Sequence, residues 1–126
     1  MNTNLTALLL LALSTASATQ ASGVCRSSLP VTDVISAMGE DIRVQPVFAG
    51  GGIRGWRLYG LSRAAQLKAQ GIQEGALVTH ICGEPAKQIF ARGNSACCDT
   101  DTSDKIEVTF KIGDGEQKVL IARSRS

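Results

Sequence analysis

The spacing of apolar positions divides the chain into short elements. Val31, Val34, Ile35 and Met38 recur at helical spacing, which predicts a helix over Val31–Met38 ended by Gly39. Residues 42–48 alternate instead, with Ile42, Val44, Pro46 and Phe48 on one side and Arg43 and Gln45 on the other. Pro46 has no N–H for a ladder, so this strand belongs at a sheet edge or at a bulge. Ala49, Gly50, Gly51 and Gly52 read as a hairpin connection into a second strand at 53–59. There Trp56 and Leu58 share a face with Arg54, while Arg57 and Tyr59 point the other way.

Gly60, Leu61 and Ser62 turn the chain, and Ser62 is the expected N-cap of a helix over 63–70. Gly71 suits the left-handed position that ends it, with Ile72 folding back on the helix. Gln73, Glu74 and Gly75 make a second tight turn into 76–82, a run apolar on both faces and so expected to be buried on both. Gly83, Glu84 and Pro85 close that strand. Ala86, Ile89 and Phe90 then predict a short helix over 86–92 with one apolar edge, and 93–104 reads as a loop. Further on, Ile106, Val108, Phe110 and Ile112 face inward, and Glu107, Thr109 and Lys111 outward. Asp114-Gly115 is a hairpin signal that folds 117–122 back as the last strand. The predicted fold is α+β, a small antiparallel sheet or partial barrel capped by two short helices.

The length of 126 residues fits one domain. The chain begins with an apolar run from Leu5 to Ala18, shorter than the ~20 residues a membrane-spanning helix needs. Small residues follow it, with cleavage sites after Ala18 or Ala21, so 1–21 reads as a secretory signal peptide. Residues 22–41 are then an N-terminal segment with a short helix, and 42–126 the main domain. The expected location is periplasmic or secreted, with no stable membrane span once the leader is cleaved. With 13 basic and 11 acidic residues interspersed, the net charge is +2. No basic face interleaved with aromatics appears, which disfavours nucleic acid.

Four cysteines, Cys25, Cys82, Cys97 and Cys98, suit an oxidising compartment, and an even number favours disulfides. A bond between the neighbours Cys97 and Cys98 is disfavoured by geometry. Both remaining connectivities tie Cys25 and Cys82 to that pair, and the sequence leaves the choice open. Catalysis has little to stand on. His80 is the single histidine, and neither a G-x-S-x-G elbow nor an H-E-x-x-H motif is present. No cofactor is expected. A metal site is the alternative of a different class: His80 and Cys82 lie two apart on a strand, and Cys97 and Cys98 are candidates to join them around copper or zinc. Asp99, Asp101 and Asp104 resemble half of a calcium loop without its central glycine or closing glutamate.

One stretch resembles a known family. The pattern G-W-R-L-Y-G, a helix, then G-I-x-E-G-A-L-V-T-H-I-C-G-E-P is similar to the segment of bacterial PDZ domains that usually reads G-L-x-x-G-D-x-I-x-x-I-N-G. Ala76 stands where that family usually has Asp, Cys82 where it has Asn, and His80 where a small or apolar residue is common. The likeness is first to the PDZ domain of the type II secretion C-component and second to those of periplasmic trypsin-like proteases. It implies a module that pairs an extended peptide or partner protein with a sheet edge by strand addition. The groove it implies runs between the strand 55–59 and the helix 87–92. Its contact residues would be Arg54, Gly55, Trp56, Arg57, Leu58, Ile89 and Phe90, with Gly55 allowing close backbone approach and Arg54 and Arg57 attracting an acidic terminus. The partner would be a component of a secretion or envelope machine, or an envelope protease served by this chain as adaptor or inhibitor.

Overall fold

A computed structural model describes residues 25, 27–98 and 104–123. The signal-peptide reading lies outside them, as do Asp99 and Asp101 of the acidic run. In chain order the elements are β1 (Ser28–Pro30), α1 (Val31–Met38), β2 (Arg43–Ala49), β3 (Gly52–Tyr59), a 3₁₀ turn (Leu61–Arg63), α2 (Ala65–Ala69), β4 (Leu77–Ile81) and β5 (Glu84–Pro85). Then follow α3 (Ala86–Ala91), β6 (Ser95–Cys97), β7 (Lys105–Ile112) and β8 (Gly115–Ala122). All strand pairings are antiparallel. The main sheet has the order β2-β3-β4-β7-β8, with β5 folded onto β4, and β1 pairs with β6 in a separate two-stranded ribbon.

Periodicity explains the core. α1 buries Val31, Val34, Ile35 and Met38, the four positions its spacing picks out. Leu58, Val78, Ile81, Val108, Phe110, Val119 and Ile121 are fully buried on the sheet, and Leu67 and Ile89 meet them from α2 and α3. Burying each such side chain contributes about 1.5–3 kcal/mol relative to exposure. Thr109 is buried too, although the alternation places it outward. A register shift in the β4–β7 pairing between Val78 and His80 moves side chains off a simple two-residue repeat there.

Three expected elements change. The helix over 63–70 is a 3₁₀ turn followed by five α-helical residues, with Ala64 between them at φ −90°, ψ 73°. Ser62 therefore lies inside the turn and caps nothing. Its place is taken by Glu74, whose carboxylate accepts the N–H groups of Gly60 at 2.8 Å and Leu61 at 2.6 Å. These bonds, that of Leu61 first, hold the Glu74 carboxyl below its ordinary value. The far end keeps the expected form: Gly71 has φ +82°, and the Ile72 N–H reaches back to Leu67 O at 3.0 Å.

Second, the run 76–82 lies inside the sheet but is deeply buried only at Val78 and Ile81. Third, the loop over 93–104 contains β6, whose partner strand β1 sits in the lead-in before α1. Two disulfides fix this region, Cys25–Cys97 and Cys82–Cys98, and thereby choose between the two connectivities the sequence left open.

Candidate groove at the open sheet edge

The site grows out of the position of β2. It is the first strand of the sheet, and β3 is its only sheet partner among the described residues. Leu58 of β3 gives its N–H to Ala76 O and accepts from Gly75 N–H, so its backbone faces β4 and not β2. Val44 lies opposite Leu58, and in an antiparallel ladder the two backbones of such a pair point away from each other. Val44 therefore turns its N–H and C=O to the open side. Pro46, opposite Trp56 and two residues on, turns a carbonyl outward and has no N–H to accompany it. Both predicted features of Pro46 are close at hand, since the strand is an edge and its register breaks next door, between Val47 and Phe48.

Beside this edge runs an apolar groove of about 620 Å³. Val31 and Ile35 of α1 form one wall, Ile42 just before β2 and Val44 and Pro46 of β2 the other, and Trp56 lies at the floor. Phe90 of α3 closes one end and also lines a second hollow of about 470 Å³ beyond it, with Phe48, Ile53 and Lys87. The Phe48 and Phe90 rings meet edge-to-face with centroids 5.8 Å apart, a ridge between the two hollows. Phe48 is 57% exposed, Phe90 43% and Val44 37%, so the edge strand and α3 present large apolar side chains to solvent.

α3 is fastened from below. Glu84, just before the helix, receives Arg92 through both oxygens at 2.8 and 2.9 Å and accepts the Cys97 N–H at 2.7 Å. The Arg92 guanidinium is the main reason that the Glu84 carboxyl is held below its ordinary value. Arg92 also lies 3.1 Å from Cys97 Sγ, so one carboxylate joins the helix, β6 and a disulfide.

The seven residues expected to contact a ligand divide. Leu58 and Ile89 are fully buried core, and Trp56 is 4% exposed, touching the groove only as its floor. Gly55 does permit a close approach, but the neighbour is the chain itself: a Cβ there would collide with the Val78 carbonyl of β4. Arg57 donates to Gly75 O at 2.8 Å and so braces a turn. Arg54 is exposed, and Phe90 is the member that lines both hollows. The reason is topological. Around Trp56 and Arg57, β3 is paired with β2 on one side and β4 on the other, and no third strand can be added there. The residues that border the groove instead, Val44, Pro46 and Phe48, carry a signal that was available: a proline in an alternating strand marks the free edge.

The metal alternative loses a ligand, because Cys82 is bonded to Cys98, and His80 Nδ1 sits 2.9 Å from Thr79 Oγ1. Among the described residues no group of three or more His, Cys, Asp or Glu side chains is placed to hold a metal ion. Nor is any helix among them long and apolar enough to cross a membrane.

No family model and no curated protein matches the sequence. Solved structures do. The PDZ domain of the pullulanase C protein of the type II secretion system from Klebsiella pneumoniae, in complex with fatty acid, superimposes with a TM-score of 0.51 at 18% identity. The match covers 71% of this chain and 98% of that one. The PDZ domain of EpsC from Vibrio cholerae, residues 219–305, gives a TM-score of 0.49 at 14% identity over 64% of this chain and 92% of that one. By its fold, this chain is a PDZ-like domain.

Proposed function

We propose that this chain is an exported, non-catalytic binding module that holds an extended segment of a partner protein along β2. The observation that carries the reading is the free β2 edge, with the outward N–H and C=O of Val44 beside an apolar groove. Strand addition uses backbone bonds for affinity and side-chain hollows for selectivity, and both are present on one face. The groove strand is thus β2, with α1 and α3 as its flanks, in place of the 55–59 strand that the resemblance first suggested. Two disulfides support export to an oxidising compartment. A component of a secretion or envelope machine is the partner class, in keeping with the secretion-system PDZ domain whose fold it shares.

A second reading puts an acyl chain in the same groove. Pro46 favours it, because the middle of the open edge lacks a backbone donor while its surroundings are apolar. The pullulanase C protein's PDZ domain was itself solved with a fatty acid.

Trp56 is the sole tryptophan and lies at the groove floor, so its fluorescence reports occupancy. Titration of the folded protein with a library of extended peptides and with a long-chain fatty acid should shift Trp56 emission for one class. Val44→Lys, a change at a half-exposed position, should abolish that shift and leave the melting temperature unchanged. Emission that responds to neither class would refute the groove reading.

A further inference from the structure

The groove has a charged mouth, and its sign points to the kind of segment it accepts. At the end where β2 begins, a hollow of about 480 Å³ is formed by Gly39, Glu40 and Asp41 and shares Ile35, Ser36 and Ile42 with the apolar groove. The Glu40 and Asp41 side chains are 81% and 73% exposed, and among the described residues one cation pairs with both: Arg63 lies 3.5 Å from Glu40 and 3.3 Å from Asp41. Two carboxylates against one guanidinium leave the mouth with a net negative charge. Arg43, next along the strand, reaches Gly60 beside Asp41 and also acts on Glu74, so with both counted three carboxylates face two guanidiniums and this end stays negative. The mouth is held in place. Asp41 has φ +63°, and its carbonyl lies so near Gly60 that a side chain there would collide with it.

The backbone makes this mouth unavoidable for a strand-adding partner. Of the outward-facing groups on β2, Val44 offers both N–H and C=O, whereas Pro46 offers only C=O. Complete pairing is therefore available at the beginning of the strand, next to Ile42 and the acidic hollow. At the other end, beyond the Phe48–Phe90 ridge, Lys87 is the one charged side chain among the described residues that line the second hollow. We propose that the groove accepts an extended segment with apolar side chains and a cationic group, a lysine, an arginine or a free amino terminus, at the end against Glu40 and Asp41. A free carboxylate at that end is refused, the reverse of the acidic terminus that Arg54 and Arg57 were expected to attract. This inference rests on the binding reading above and adds the chemistry of the partner.

The probes are peptides blocked at both ends, seven residues long to match β2, rich in Val, Leu and Thr, with Lys, Gln or Glu at one terminal position. Trp56 fluorescence and calorimetry read their affinity. The Lys peptide should bind about tenfold more tightly than the Gln peptide at low salt, and high salt should erase most of that advantage. In the Glu40→Gln/Asp41→Asn variant the advantage should vanish while the Gln peptide binds as before; both positions are exposed, and Asn tolerates the left-handed backbone at 41. Equal affinities for Lys and Gln peptides, or an advantage for Glu that survives in the variant, would overturn the charge assignment and leave the groove reading standing. Failure of all three peptides to bind would overturn the groove reading together with it.

Discussion

The two edges of the main sheet are finished in different ways. At β8, Gln66 of α2 and Gln70 just after it take the place of a further strand. The Gln66 side-chain amide accepts the Ala122 N–H at 2.7 Å and donates to Ala122 O at 3.4 Å, a two-point contact of the kind a neighbouring backbone would make. Gln117 donates to Gln70 O at 2.7 Å, and Gln70 Nε2 lies 3.5 Å from Leu120 O. At β2, among the described residues, the edge is guarded by Pro46 and by the apolar side chains beside it. An unsatisfied strand edge invites pairing with another chain, and proteins usually blunt it. Here one edge is blunted with amides, while the other keeps a complete pairing residue, Val44, next to a groove. The difference sets an edge that the fold closes against one that it leaves open within the same sheet.

The largest expected break in this contrast is Gly55→Ala. If β3 is interior, the new Cβ must displace the Val78 carbonyl and split β3 from β4, at a cost of about 4 kcal/mol or more. Chemical denaturation should show the variant unfolded or nearly so. A folded, stable variant would mean that β3 is not closed on this side.

Acid should loosen the groove side before the β8 side. The folded-state carboxyl of Glu84 lies below its ordinary value of 4.5, so its contribution is fully present above that pH and fades as pH falls through the lowered value. Glu84→Gln should cost about 1–2 kcal/mol near pH 7 by loss of the charge-assisted bonds, and should flatten the fall of melting temperature below about pH 4.5. Hydrogen exchange should rise first at α3 and β6 and leave β8 protected.

Opening the closed edge should do less. Gln66→Ala removes the partner of the Ala122 N–H and should cost about 1 kcal/mol. Gel filtration should then reveal more concentration-dependent self-association than the parent protein shows. The smallest effect belongs to Pro46→Val, which restores a donor to the open edge at a stability change within about 0.5 kcal/mol. It should tighten peptide binding a few-fold and weaken fatty-acid binding or leave it unchanged, which separates the two readings of the groove.

Much of this was legible in the chain itself. Periodicity located α1 to the residue and both strands of the β7–β8 hairpin, while Gly71 marked the end of α2 and Pro46 the edge or bulge of β2. Such patterns are local consequences of a 3.6- or 2-residue repeat against one apolar core. The segment similar to bacterial PDZ domains pointed to the right fold, and the cysteine pattern to two staples without their pairing. Long-range geometry decided the rest. Whether Gly55 approaches a ligand or another strand depends on β4, more than twenty residues away along the chain. Sequence alternation cannot tell an interior strand from an edge strand, because both expose the same two faces; only the ladder reveals which side is free. The strand β6 was invisible because three residues carry no period, and its pairing with β1 depends on contacts across the whole domain. The sequence by itself determined which residues are apolar and on what repeat. The tertiary structure decided which backbone remains unpaired, because a hydrogen-bond partner is supplied by whatever the fold brings alongside.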